Sequence, residues 1–205
     1  LLSAEALIET GELTGAHKAL RETKEMFQAI PEGSLMGDVL TETKSTLSER
    51  GLWLESHLQL RACEAIKPPP RFSAKLKTKP LAEWFARRGF CLKQALDTAL
   101  TAYTVLGPRW NRAMSDSLAV AVEDYFDSPR FAANSHFAPN LSIAYEVALP
   151  EIRKHFYQML ASLQSAESSA VIPSGTSRPF RILTSKIEQG LQRLSIQAST
   201  ANHSL

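Results

Sequence analysis

Three carboxylates in the segment EDYFD are the residues of this sequence best placed to do chemistry. Glu123 and Asp124 are adjacent, and Asp127 follows shortly after them. On a helix this spacing puts the carboxylates on neighbouring parts of one surface, where their oxygens could bind a metal ion. The competing interpretation, which we favour, is that Asp127 and Ser128 end a helix whose polar face carries the other acids.

No short motif of a known catalytic mechanism occurs elsewhere in the chain. The sequence lacks the glycine-rich phosphate loops, the H-E-x-x-H zinc motif, the G-x-S-x-G nucleophile turn and an EF-hand loop. Glu151 and His155 are spaced to share one helix face, but a metal site needs more ligands than two, so we interpret them as an exposed helical pair. We therefore expect no catalytic residue, no metal site and no cofactor.

A proline-rich segment carries five basic side chains and no acidic one. The charged residues between positions 67 and 80 are Lys67, Arg71, Lys75, Lys77 and Lys79. Because the prolines at 68–70 keep the chain extended, these charges could together contact anionic lipid, nucleic acid or an acidic partner, although such a segment is more often a solvated, extended connector. The segment has no platform of interleaved aromatic residues, since Phe72 is its one aromatic side chain, and the sequence pI is about 8.6, which disfavours nucleic acid as the partner.

Composition describes an ordinary folded chain. Of its 205 residues 44% are hydrophobic and 21% charged, and no apolar stretch reaches the length of a transmembrane helix. Cys63 and Cys91 belong to no C-x-x-C pair, and we interpret them as free thiols, since a disulfide would need matching geometry and an oxidising compartment. We expect a cytoplasmic location. Because the sequence begins with Leu1, we also expect a piece of a longer protein.

The elements that position these residues are helices, and the longest pattern runs from Leu13 to Ile66. Apolar residues recur every seven positions in two limbs and predict a coiled-coil-like seam on each. These seam residues, which are also the hypothetical partner-binding residues, are Leu13, Leu20 and Phe27 in the first limb and Leu40, Leu47 and Leu54 in the second. The short polar break at 31–34 predicts antiparallel limbs, and Gly51 predicts a bend or break in the second.

Further amphipathic helices follow the proline-rich segment and complete an all-α fold. Breaks are predicted at Gly89, at Gly107 with Pro108, and over 127–140. The predicted domains are an N-terminal antiparallel coiled-coil-like hairpin over 1–66, a Pro/Lys-rich linker over 67–80, a helical bundle over 81–197 and a frayed tail over 198–205.

The opening hairpin resembles the N-terminal regions of multisubunit vesicle-tethering subunits of the exocyst, conserved oligomeric Golgi and ER tether type. The resemblance rests on AEALIETGELTGAHKALRETKEMFQAIP, residues 4–31, followed by a long leucine-stepped helix. It implies an elongated helical protein that binds other helical subunits, has no catalytic residues and works at the periphery of endomembranes.

Two alternatives remain beside this interpretation. EDYFD is similar to the aspartate-rich motif of terpenoid synthases, which are all-α enzymes that bind Mg²⁺ and a diphosphate, but the chain is short for that fold and lacks a second metal motif. The other alternative is a nucleic-acid-binding helical protein that uses the basic linker. Our prediction is a non-catalytic interaction or scaffold subunit, possible partners being other helical subunits and an anionic membrane surface.

Overall fold

A computed structural model of the chain describes residues 1–29, 35–66, 78–103, 105–106, 108–133, 138–169 and 178–201. Within these ranges the chain forms seven helices and no strand. They are α1 (Leu2–Glu9), α2 (Leu13–Gln28), α3 (Leu35–Glu64), α4 (Thr78–Tyr103), α5 (Pro108–Ala133), α6 (Ala138–Ser168) and α7 (Arg178–Ala201). None of the described helices combines the length and the hydropathy that crossing a bilayer requires. The predicted all-α class is confirmed.

The first two helices are joined by a tight turn at Gly11. Its φ of +80° lies in the left-handed region, which costs glycine little and other residues more. The turn brings α1 back onto α2, and both pack against α3 around a small core. The buried members of this core are Ala4, Ile8, Ala16, Leu20, Leu54 and Leu58. The seam predicted for two limbs is therefore closed by a third helix, α1.

The described contacts between the two predicted limbs fall in the second half of α3. Direct pairing around the break at 31–34 would set Lys24 opposite the first turns of α3. Instead, Lys24 Nζ lies 3.9 Å from a carboxylate oxygen of Glu55. Helix α3 continues through Gly51 without a break, since glycine costs a helix only about 1 kcal/mol and neighbouring side chains pack on α1.

The second half of α3 joins α4–α7 in one bundle. Helix α5 runs antiparallel to α4, because Asn111 at its start contacts Tyr103 at the end of α4, and Tyr125 near its end contacts Phe85 near the start of α4. Helices α4 and α6 are parallel, since Phe90 meets His155 and, further along both helices, Asp97 meets Ser162. Contacts with increasing residue number on both helices make α5 and α7 parallel as well.

Aromatic side chains fill the centre of the bundle. The ring of Phe156 lies 5.1 Å from that of Tyr125 and 4.5 Å from that of Phe126, measured between centroids. Tyr125 is fully buried, and its hydroxyl donates a 2.9 Å hydrogen bond to the Phe85 carbonyl. At the corner between α4 and α5, the buried Asn111 amide donates to the carbonyls of Tyr103 and Leu106, which satisfies acceptors that a helix end leaves open.

Several predicted helix ends are displaced in the structure. Helix α4 begins at Thr78 inside the predicted linker, and it passes through Gly89, where a break was predicted. Gly89 is buried, and a Cβ there would lie 3.4 Å from the Tyr125 hydroxyl, so tertiary packing holds the helix together. Helices α5 and α6 extend into the predicted turn over 127–140, and α7 continues to Ala201 in the predicted tail.

Cys63 on α3 and Cys91 on α4 form a disulfide, so their interpretation as free thiols is wrong. Their Cα atoms are 5.5 Å apart, in the usual range for a disulfide. The antiparallel packing of α3 on α4 brings the two residues together across 28 positions of sequence that contain the whole predicted linker. The disulfide ties α3, and with it the N-terminal helices, to the bundle.

Candidate interaction surface

The EDYFD carboxylates lie within α5 and face different neighbouring helices. Glu123 accepts a 2.6 Å bond from Lys186, and Asp127 pairs with Arg193 at 3.1 Å, both on α7. Asp124 instead lines a small cavity with Arg88 of α4. Helix α5 does not end at Asp127, as predicted, but continues to Ala133. Over the described ranges, no three His, Cys, Asp or Glu side chains are grouped so that they could hold a metal ion.

The pair formed by Glu151 and His155 is only half exposed. The His155 ring is buried between α6 and α4, with its centroid 5.4 Å from that of Phe90, while Glu151 is exposed. Burial lowers the pKa of His155, and the Glu151 carboxylate, 3.9 Å away, opposes this shift in part. The predicted exposed pair is therefore wrong for the histidine, whose imidazole contributes to the packing of two helices.

The predicted seam is a packed interface wherever its side chains are described. Leu20 and Leu54 are buried in the small core, and Leu13 is half-buried against it. The side chains of Phe27, Leu40 and Leu47 lie outside the described part of the structure, and so do the basic residues Lys67, Arg71, Lys75 and Lys77. Lys79 is exposed in the first turn of α4. The described seam residues are consequently occupied by this chain's own helices.

A groove between α2 and α3 offers open space on the N-terminal helices. We name it the α2–α3 groove. Its volume is about 600 Å³, within the range that specific binding sites occupy. It is lined by Thr14, His17, Lys18, Leu20, Arg21, Lys24 and Glu55. One helix face of α2 thus supplies most of the lining, and α3 supplies a single carboxylate.

The cations of the groove follow the period of a helix. Lys18, Arg21 and Lys24 recur every three residues, and His17 lies one turn before Arg21. Residues three and four apart are neighbours on a helix surface, so these side chains form one stripe. All four are exposed, whereas Leu20 behind them is buried. The groove therefore has a buried leucine at its base and a positively charged wall.

Long and exposed ion pairs hold Lys18, Arg21 and Lys24. Lys18 and Arg21 lie 3.8 Å from Glu22 and Glu25 on their own helix, and Lys24 lies 3.9 Å from Glu55. Exposed pairs of this kind contribute only about 0.3–0.5 kcal/mol each. Exchanging such a partner for a carboxylate of another molecule costs the fold little.

The stripe follows a helical period in the sequence, but apolar periodicity does not reveal it, because its residues are polar. Thr14, His17, Arg21 and Lys24 follow the same three-and-four spacing as an apolar helix face. Their meaning depends on Glu55, which is distant in sequence and reaches the stripe only through the packing of α2 on the second half of α3. The stripe was readable, but the groove was not.

Comparison with known proteins adds no further assignment. The chain matches no family model, no curated protein and no solved structure. We therefore infer the function from the geometry of the chain itself.

Proposed function

We propose that the protein is a non-catalytic helical interaction or scaffold subunit that binds another protein through the α2–α3 groove. The observation that carries the proposal is the groove itself, about 600 Å³ in volume, with an exposed basic stripe over a buried leucine. Such a site can hold several side chains of a partner. Two of the three carboxylates that could have indicated an enzyme, Glu123 and Asp127, instead pair with cations of α7.

The organisation of α3 supports a scaffold role. Its residues Leu54 and Leu58 belong to the N-terminal core, while Leu60 and Cys63 belong to the core of the bundle. A single helix therefore connects the groove to the larger body of the protein, and a partner bound at α2 would be fixed relative to that body. A subunit of a membrane-tethering or trafficking complex would need this property, and we retain that membership as part of the proposal.

The disulfide bears on where this subunit works. Disulfides persist in oxidising compartments and are rare in the cytosol, where thiols are kept reduced. The pairing of Cys63 with Cys91 therefore argues against the cytoplasmic location expected from the sequence. Alkylation of thiols in intact cells, followed by mass spectrometry of the two cysteines, would distinguish an oxidising compartment from the cytoplasm. We expect disulfide-linked peptides. Alkylated peptides would instead support the cytoplasmic location.

A photo-crosslinking experiment tests the interaction function. One variant of the chain carries a photoreactive amino acid at Thr14, which is exposed in the groove. A second variant carries it at Gln94, which is exposed on α4. The protein is expressed in its own cells, illuminated and purified under denaturing conditions. We expect a discrete cross-linked partner from Thr14 and none in common from Gln94.

The same experiment can refute the proposal. If Thr14 and Gln94 give identical cross-linked species, or if neither gives a species above the non-illuminated control, the groove has no specific protein partner. Thermal unfolding of both variants at the wild-type temperature would show that the result reflects binding and not loss of the fold.

A further inference from the structure

We propose that the α2–α3 groove binds an acidic amphipathic helix of the partner protein. This inference rests on the proposed function and names the chemistry of the partner. Within the described lining, Lys18, Arg21 and Lys24 outnumber the one acid, Glu55, and the acids that pair with Lys18 and Arg21 lie beside the lining on α2. The described lining itself therefore carries more positive than negative charge. Complementary potential selects a partner that brings carboxylates.

The spacing of the cations matches that of a helix. Lys18 and Lys24 are separated by about 9 Å along α2, at about 1.5 Å per residue. A partner helix laid along α2 would present carboxylates one turn apart, about 5.4 Å, over a comparable distance. Acids at positions i, i+3 or i+4, and i+7 would therefore each meet a cation of the stripe.

The base of the groove favours a partner with an apolar edge beside its acids. Leu20 lines the groove, and the methylene stems of the lysines and of Arg21 add further apolar surface below their charged ends. A helix with an acidic stripe next to one or two leucines fits both parts of the lining. A partner with acids alone would leave the apolar part of the groove against water.

A protein helix fits this lining better than nucleic acid or a membrane does. The groove is concave, whereas a bilayer surface is flat, and none of the lining residues that the structure describes is a Phe, Tyr or Trp on which bases could stack. Glu55 projects into the same space, where it would repel a uniform row of phosphates more than a helix whose acids can avoid it. Phosphatidylserine vesicles and single-stranded RNA therefore become competitors in the test.

The probe is a fluorescein-labelled synthetic helical peptide that carries glutamates at i, i+4 and i+7 beside two leucines. Its control peptide has glutamine at the glutamate positions. Fluorescence anisotropy measures the affinity of both peptides for the intact chain at low and at physiological salt. We expect binding of the glutamate peptide that weakens as salt rises, and an affinity at least about tenfold lower for the glutamine peptide.

Variants of the chain locate the binding. The combined variant Lys18→Gln, Arg21→Gln and Lys24→Gln should lower the affinity by about tenfold or more, because it removes the positive wall. A control with the same loss of charge on the bundle, made at the exposed residues Arg87, Lys154 and Arg181, should bind like wild type. Glu55→Gln should raise the affinity about two- to threefold, since it removes the one acid of the groove.

These outcomes separate the inference from the function on which it rests. Equal binding of the two peptides, equal loss in both charge variants, or displacement of the peptide by RNA or phosphatidylserine vesicles at lower concentration would overturn the acidic-helix inference. If, in that case, Thr14 still cross-links to a discrete protein, the interaction function stands and only the class of partner is wrong. Failure of both experiments would refute both.

Discussion

The two cores of this protein differ in the size of their buried side chains. The bundle is closed by large side chains, among them Phe85, Tyr125, Phe156 and Phe180, which are all fully buried. Among the residues that the structure describes, the core of the N-terminal helices has six buried members, of which Ala4 and Ala16 are small. Because hydrophobic stabilisation scales with the apolar area removed from water, the bundle should hold most of the stability of the chain.

The polar contacts of α2 differ from those that join the helices of the bundle. In the bundle, Lys186 binds Glu123 at 2.6 Å, and Tyr125 donates a buried hydrogen bond to the backbone of another helix. On α2, the ion pairs of Lys18 and Arg21 are 3.8 Å long and exposed. The half-buried pair between Arg50 of α3 and Glu5 of α1 also fixes the N-terminal helices, so the charged groups that can exchange partners are those of the α2 stripe and not of the whole region.

The largest expected effect comes from the centre of the bundle. Phe156→Ala removes a fully buried ring that contacts Tyr125 and Phe126, and it should lower the free energy of unfolding by about 3–5 kcal/mol. The neighbouring Tyr157→Ala is the control, because this ring is 59% exposed and its loss should cost far less. Urea unfolding measures both. Similar costs for the two variants would contradict the packing described for α6.

Loss of the disulfide should have the next largest effect. It closes 28 residues of sequence, which in the loop-entropy account corresponds to about 3–4 kcal/mol. A reducing agent should therefore lower the midpoint of unfolding of the wild-type protein. The double variant Cys63→Ala with Cys91→Ala should start from the lower midpoint and not respond to the reducing agent. A wild-type midpoint that is insensitive to reduction would contradict the cross-link.

Two glycines compare the tightness of packing in the two regions directly. At Gly190 an added Cβ would overlap the ring of Phe126, so Gly190→Ala should destabilise the bundle by about 1–3 kcal/mol. At Gly15 on α2 the added Cβ would meet Leu7 at 3.4 Å, an ordinary contact, and alanine favours a helix by up to about 1 kcal/mol. Gly15→Ala should thus be neutral or stabilising. If Gly15→Ala destabilised the protein more than Gly190→Ala, the proposed difference in packing between the two regions would be contradicted.

Acidification should have the smallest effect. Burial lowers the pKa of His155 from its ordinary value of 6.5, although Glu151 opposes the shift and the nearby Lys154 and Lys93 add to it. The unfolded state then binds more protons than the folded state, so stability is fully present above pH 6.5 and falls as the pH drops through that value. His57, stacked on Trp53, has a pKa lowered by burial and by Arg61 and acts in the same direction.

The histidine contribution is measured by urea unfolding at about pH 7.5 and about pH 5.5. His155→Gln should reduce the loss of stability between the two values, without abolishing it, because His57 remains. A loss that is unchanged in the variant, or a wild-type protein that is more stable at the lower pH, would contradict the buried neutral imidazole.

The sequence predicted those features that depend on neighbours along the chain. Helical periodicity predicted the limbs that form α2 and α3 and the amphipathic helices that follow them. It failed where packing overrides local preference. Gly89 reads as a break, but Tyr125 and His155 pack against it inside a continuous helix. Pairing of Cys63 with Cys91 likewise depends on the antiparallel contact of α3 with α4, which spacing along the chain does not reveal.

The candidate site shows the same division. The basic stripe on α2 follows from spacing, whereas its position opposite Glu55 follows from the displaced packing of α2 along α3. The apolar seam, which sequence favoured as a binding surface, is used within the chain at Leu20 and Leu54. Periodicity identifies a face that must be covered, but it does not say whether this chain or a partner covers it.

Amide hydrogen exchange, with and without the glutamate peptide, tests the central claim most directly. In the free protein, amides of α1 and α2 should exchange faster than those of α4–α7, because exchange follows local stability. On addition of the peptide, exchange should slow in α2 and in the part of α3 around Glu55, with no change in the bundle. Equal protection of both regions in the free protein, or slowing confined to the bundle, would contradict the account.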